Sequence, residues 1–495
     1  MKAFIKISSF MLALVMLASC FVGCGETPSD DEKNSDTTAD TIVDPGSAAL
    51  PVKDWDGEVY TVLGRDGGSA SQFTNFEVGY DELPADVVGQ AVYQRNDMIK
   101  EKYNFSVSQI LSDDVASAAQ TSYSSGDDLY QLVLYRADQV QSHAQQGYLV
   151  DLNDAELKYI NLEHPAWYQE VNKELTIGDK LYYTTNNFLL QDKHRLWYCF
   201  YNRDLAEDLG LGYFEDMVDN NTWTLENVTQ LAKQGYAELD GVAGASDGDR
   251  YGLAYSADFT FAVFAFSAGF RLTNKDAQGY PTLVGATDKM MSVLDSVFKL
   301  TDDPTVWCHS DHDATTAEGH PEIKFKNGEV VLLQAFTSFI DFFLADDTGI
   351  EYGALPNPKY DSKQENYAVF PNVTNSCLLS VPYTVSDKEF AGYALEAITE
   401  ESTDTSYTAY IDIKCKYQDA YDEDCARMLD LCFRSAVYDI GTFCNFGKLF
   451  SSLYSGSNGG LAGLGHNFYQ RYFDSAKTAA QKEIDEIRIE YENRT

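Results

Sequence analysis

Residues 129–152 read LYQLVLYRADQVQSHAQQGYLVDL: a continuous apolar run from Leu129 to Tyr135, then a polar run with helical spacing from Asp138 to Gln146. The first predicts a buried strand and the second a helix. Upstream, Glu58–Leu63 is rich in β-formers and runs into Gly64-Arg65-Asp66-Gly67-Gly68, a strand followed by a glycine loop. Asp86 to Tyr103 carries Val88, Ala91, Val92, Ile99 and Tyr103 at helical spacing. Phe105–Leu111 alternates as a strand does, and Asp114–Ser122 predicts a helix. Strands alternating with helices imply βαβ units and a mainly parallel sheet.

The second half repeats this alternation with a different sequence. Trp197–Tyr201 and Tyr251–Tyr255 predict strands. Thr224 is placed to cap a helix that carries Glu226 in its first turn and reaches about Tyr236. Phe259–Ala268 predicts a very apolar helix, and Asn274–Gly279 a hairpin turn, since it lacks the spaced ligands of a calcium loop. Further helices are predicted over 286–300, 389–400, 422–433 and 476–491, with a strand at Val330–Leu333 and a sheet-to-loop stretch over 351–358.

The leader MKAFIKISSFMLALVMLASCFVGC has two lysines, an apolar run and small residues abutting a cysteine, the layout of an export signal. Residues 26–54 contain no aromatic residue and predict a flexible tether. About 440 residues follow from Trp55, more than one core usually serves, so two lobes are expected. With 44% hydrophobic and 13% aromatic residues this part is well packed. The net charge is −41, and −43 without the leader, which disfavours nucleic acid and anionic lipid and leaves uncharged or cationic ligands. Beyond Cys20 and Cys24, seven cysteines remain without any C-x-x-C spacing. Burial as small hydrophobes is their default, and one or two disulfides would fall among Cys415, Cys425, Cys432 and Cys444.

Leu17-Ala18-Ser19-Cys20 and Phe21-Val22-Gly23-Cys24 both resemble the bacterial lipobox. That resemblance implies lipidation, at Cys24 or alternatively Cys20, and anchoring to the outer face of the cell membrane. The stretch Tyr135–Leu152 resembles the third strand and helix of extracellular carbohydrate-binding proteins of ABC importers. Phe200-Tyr201-Asn202-Arg203-Asp204-Leu205 is similar to that family's "YNKdL", and Trp223-Thr224-Leu225-Glu226 to its "WT-acid" helix start. Phe325-Lys326-Asn327-Gly328-Glu329-Val330, Tyr352–Lys359 and Lys388–Glu400 resemble three further motifs in the family's order. The stretch KCKYQDAYDEDCARMLDLCFRSAVYDIG over 414–441 resembles a clostridial lipoprotein branch.

The resemblance implies a two-lobed α/β fold of the periplasmic-binding-protein type II class, with a hinge and an interlobe cleft. Lobe one would span 55–193 plus 372–420, and lobe two 194–371 plus 421–495. The implied function is solute binding without catalysis or cofactor: a monomer that takes an uncharged sugar or oligosaccharide and passes it to a permease. Matching motif to motif, the ligand contacts fall on Arg65, Asp66, Tyr135, Asp138, Gln139, His194, Arg195, Tyr255, Asp258, Phe259 and Phe336. Phe336 stands where the family has tryptophan. A sugar needs aromatic platforms and planar donors and acceptors, so Arg65 or Arg195 would donate paired hydrogen bonds, and Asp66 and Asp138 would accept from hydroxyls. Trp167, Tyr168 and Trp197 are further platforms. For each aromatic the competing reading is core packing, and for each charged residue a surface ion pair.

Cys308-His309-Ser310-Asp311-His312-Asp313, with Glu318 and His320, is the one metal-like cluster, and a polar loop is the favoured reading because no helix fixes its spacing. A surface glycoside hydrolase would need a facing carboxylate pair, and neither a nucleophile elbow, a zinc-protease helix nor a phosphate loop is present. An adhesion or sensory protein on the same fold is the remaining alternative.

Overall fold

The computed structural model describes residues 50–68, 71–255, 260–308, 320–338, 350–415, 423–454 and 467–494. In chain order the strands are β1 (Glu58–Arg65), β2 (Phe105–Ser112), β3 (Leu132–Arg136), β4 (Leu196–Asn202), β5 (Tyr251–Tyr255) and β6 (Thr273–Lys275). They continue as β7 (Pro281–Leu283), β8 (Val306–Cys308), β9 (Val330–Phe336), β10 (Tyr352–Leu355), β11 (Phe370–Pro371) and β12 (Cys377–Ser380).

The first sheet has the order β12-β3-β1-β2. β1 is parallel to β2, with Glu58 opposite Phe105 and Arg65 opposite Ser112, and parallel to β3, with Val62 opposite Leu132. β12 returns from far along the chain and lies antiparallel to β3, with Cys377 opposite Arg136. The connecting helices start where the sequence supplies caps. Asp86 accepts from the Gly89 N–H at 2.7 Å to open Val87–Tyr103, and Asp114 accepts from the Ser117 N–H at 3.0 Å to open Val115–Ser125. β3 begins at Leu132 rather than Leu129, which is half exposed in the preceding loop.

The second sheet has the order β10-β4-β9-β5-β8 with β11 beside β4. It is mixed rather than mainly parallel: β5 runs parallel to β8 and β9, whereas β4 is antiparallel to β9 and β10. β4 and β5 are buried at every position, as expected of strands covered on both faces. Helix Leu225–Gly235 lies so close on β5 that a Cβ at Gly252 would come within 2.0 Å of the Ala232 carbonyl oxygen, so only glycine fits there. The hairpin expected at Asn274–Gly279 joins β6 to β7.

Between the sheets the chain crosses at Lys193–Leu196 and again at Asn372–Ser376, and the two crossings are tied together. The Asn372 N–H donates to the Arg195 carbonyl at 3.1 Å, the Ser338 N–H to the His194 carbonyl at 3.2 Å, and the Thr337 hydroxyl to the Lys193 carbonyl at 2.6 Å. Beneath them, Lys193 is fully buried. Its ammonium pairs with Asp192 at 2.9 Å and donates to the Asn186 carbonyl at 2.7 Å and the Thr185 hydroxyl at 3.1 Å.

The helix Asn467–Glu492 starts well before the expected Ala476 and ends against the first sheet's helix Ala137–Gln145. There the Tyr491 hydroxyl donates to Gln141 at 3.3 Å, and Arg494 donates to the Ala144 and Gln145 carbonyls. At the other end of the described residues the chain is tied to the fold ahead of Trp55. Leu50 is buried, and the Tyr393 hydroxyl donates to the Pro51 carbonyl at 2.6 Å. Cys425 and Cys432 are buried free thiols, as the default reading has it, Cys444 is a half-buried free thiol, and the Cys415 side chain lies outside the described residues. Among the described residues no helix is long and apolar enough to cross a membrane.

Candidate ligand-binding site

In the first sheet the chain steps from β1 outward to β2 and returns past β1 to β3. In the second it steps from β5 to β8 on one side and then to β9 on the other. The β1/β3 and β5/β9 boundaries are therefore switch points, the places where ligands bind outside the carboxyl ends of strands in open α/β sheets. Arg65 and Arg136 end β1 and β3, and Tyr255 and Phe336 end β5 and β9.

Arg65 is half-buried, and its guanidinium carbon lies 4.8 Å from the centre of the Phe73 ring. Its side chain donates to Asn375 Oδ1 at 3.4 Å. Burial, with Arg136 nearby, holds this guanidinium below its ordinary range. Arg195, from the first crossing, is 3% exposed, and its guanidinium carbon lies 4.4 Å from the same Phe73 ring and 6.0 Å from Phe336. It donates to the Ser338 hydroxyl at 3.1 Å and to the Gln72 carbonyl. Phe336 packs on Trp197 with ring centres 3.7 Å apart. Trp197 is itself buried, and its indole N–H finds no acceptor among the described residues. The structure thus brings Arg65, Arg195 and Phe336 to one place, with Trp197 beneath and Phe73 as the shared platform.

The remaining polar candidates are tied locally. Asp138, in the first turn of helix Ala137–Gln145, accepts both arms of Arg136 at 3.1 and 2.6 Å, so here the surface ion-pair reading holds. Gln139 is half-buried on the same turn, with its carbonyl accepting from Ser142 at 2.9 Å. Asp66 is exposed and accepts from the Gly68 N–H at 2.8 Å. Tyr255 is turned inward, its hydroxyl donating to the Thr301 carbonyl at 3.3 Å.

His194 faces a different space. With Gln72, Thr74, Phe76, Tyr80, Val87 and Tyr410 it lines a cavity of about 620 Å³, where its Nδ1 lies 3.0 Å from the Tyr410 hydroxyl and Phe76 meets it edge-on at 5.6 Å. His194 and Gln72 belong to this cavity, and their sequence neighbours Arg195 and Phe73 belong to the arginine cluster, so the two spaces adjoin.

Three of the aromatic candidates lie in the core, the competing reading for each. Tyr135 is fully buried in the first sheet's core, its hydroxyl 2.7 Å from that of Tyr123 and its ring 4.7 Å from His143, and this removes it from the cleft surface. Burial pushes its phenol well above the usual range. Trp167 is buried with its indole N–H donating to Glu396 at 3.0 Å, and Tyr168 is buried beneath the Lys193 ammonium at 4.4 Å. All three are packing residues. Asp258 and Phe259 lie outside the described residues, as do His309 and His312, and among the described residues no three metal-ligating groups converge.

Sequence reasoning missed Phe73, Gln72, Asn375 and Ser338. Phe73 carries the one usable signal, an aromatic shortly after a glycine loop that leaves a strand. Asn375 lies 310 positions from Arg65 and gives no local sign of meeting it.

No protein-family model and no curated protein matches this chain. Solved structures do match. The maltose-binding periplasmic protein of Listeria monocytogenes, solved in complex with maltose, superposes with a TM-score of 0.54 at 13% identity, covering 87% of this chain and 98% of that one. A cyclo/maltodextrin-binding protein complexed with maltotetraose gives 0.52 at 14% identity, covering 88% and 97%. At this identity the likeness bears on architecture, and with the two sheets and their paired crossings it establishes a two-lobed α/β fold of the periplasmic-binding-protein type II class, with a hinge and an interlobe cleft.

Proposed function

We propose that this chain is a solute-binding lipoprotein of the clostridial type, anchored through Cys24 (alternatively Cys20) to the outer face of the cell membrane. It captures a sugar or oligosaccharide between two lobes, 55–193 plus 372–420 and 194–371 plus 421–495, and passes it to an ABC transporter permease. It acts as a monomer and performs no chemistry on its ligand. The observation that carries the reading is the meeting of Arg65 from the first sheet with Arg195 from the crossing on Phe73, with Phe336 of the second sheet beside Arg195, in a fold whose solved neighbours were solved with maltose and maltotetraose.

The arrangement suits a sugar. Planar guanidinium groups donate paired hydrogen bonds to hydroxyls, and aromatic faces accept the apolar face of a pyranose. Ligand that touches both lobes stabilises the closed form only through contacts made to both at once. Calorimetry with a panel of mono- and oligosaccharides, peptides and polyamines tests the reading. Saturable binding of a sugar supports it, and tight binding of a peptide or polyamine with no sugar bound overturns it.

A further inference from the structure

Acidic residues outnumber basic ones 77 to 36 in this chain, so an arginine has many potential partners. Several find one: Arg203 pairs with Glu215, Arg427 with Asp219, Arg434 with Asp430, and Arg488 with Asp276. Others cap carbonyl groups, as Arg271 and Arg494 do. Arg65 does neither. Among the described residues no carboxylate lies within ion-pair distance of it, and its side chain has one long hydrogen bond, to Asn375 at 3.4 Å. Asp138, whose charge reaches Arg65, is taken bidentately by Arg136, and the adjacent Asp66 turns onto the Gly68 N–H.

A guanidinium carries five N–H donors in a planar fork that matches a carboxylate or sulfate edge. The Phe73 ring supports the Arg65 group at 4.8 Å and leaves its edge unsatisfied. Half-burial, with Arg136 on the neighbouring strand, disfavours the charge where it stands, and an anion placed against it would relieve that cost. The position matters as much as the charge, because Arg65 ends β1 at the switch point of the first sheet.

We infer that the ligand of this cleft carries an acidic group, a carboxylate or sulfate on a sugar ring, and that the Arg65 guanidinium receives it. This rests on the sugar-binding reading above and replaces the uncharged sugar that the resemblance implies. The overall charge does not oppose it at contact range. Salt screens exposed charges beyond about 8 to 10 Å, so the distant acids slow the approach of an anion while the local guanidinium decides its binding.

Calorimetry on the whole chain with matched pairs tests the inference: oligomers of galacturonic acid against galactose, of glucuronic acid against glucose, and sulfated against unsulfated galactose oligomers. The acidic member of one pair is expected to bind at least tenfold more tightly. That ratio falls towards one in Arg65→Met and is partly retained in Arg65→Lys, with both variants melting like the parent. Neutral members that bind as tightly as their acidic partners in every pair that binds overturn the inference and leave sugar binding standing, as does a ratio unchanged in Arg65→Met. If Arg65→Met fails to fold, the Arg65→Lys ratio decides, and a value equal to the parent's at both low and high salt argues for bare charge over the fork and overturns the assigned contact. Binding of no sugar in any pair removes the sugar reading and this inference together.

Discussion

Arg65 and Arg195 rest on one ring. Their guanidinium carbons lie 4.8 and 4.4 Å from the centre of Phe73, although one ends a strand of the first sheet and the other lies in the crossing that leads to the second. Phe73 therefore orients two charged groups contributed by different halves of the fold. Each such contact is worth about 0.5 to 2 kcal/mol, depending on how far it is desolvated. Phe73→Ala is expected to weaken sugar binding by about 1 to 2 kcal/mol while the unliganded protein melts near the parent temperature. An unchanged calorimetric affinity would move the site away from this ring.

Tyr135 separates the roles of core and cleft. Its full burial and its hydroxyl contact with Tyr123 predict that Tyr135→Ala unfolds in denaturant with a loss of about 3 to 5 kcal/mol, the usual cost of removing a large core aromatic. Tyr135→Phe removes only one buried hydrogen bond and should cost about 1 kcal/mol, with ligand affinity preserved. A stable Tyr135→Ala protein with lost binding would return this residue to the site.

The Asp192–Lys193 pair lies under the crossings with both side chains essentially buried. Lys193→Met strands the Asp192 carboxylate and is expected to cost about 3 to 5 kcal/mol. The double variant Asp192→Asn/Lys193→Met should recover much of that loss, because it removes both charges together. Additive losses in a double-mutant cycle would show that the pair is uncoupled.

Glu396 sets a pH dependence. Burial pushes its carboxyl up from 4.5 to about 8, against the opposing donation from the Asn161 N–H at 2.9 Å and the Trp167 indole at 3.0 Å. The folded protein therefore holds a proton that the unfolded chain releases near 4.5. The resulting stability is fully present below that value and is lost as pH rises through about 8. Glu396→Gln should flatten the difference in melting temperature between pH 5 and pH 8 relative to the parent. An equally steep fall in the variant would assign the dependence to other buried acids.

Much of this architecture was legible in the residues alone. Strand periodicity over Glu58–Leu63 and Phe105–Leu111, and capping residues such as Asp86, Asp114 and Thr224, act through neighbours a few positions away, so they determined where strands and helices form. Their alternation determined an α/β class. The site was legible only in part. Arg65, Arg195 and Phe336 came from the family resemblance, motif by motif, but whether a side chain at a strand end faces the cleft or the core is set by segments distant in sequence. Tyr135 was drawn into the core by Tyr123 and His143. Arg65 met Asn375 from 310 positions away, and Phe73 came under two arginines that no local pattern connects. Backbone conformation depends on interactions along the chain and can be read from it, whereas burial and charge pairing depend on which distant surfaces are brought together, and that only the tertiary structure decided.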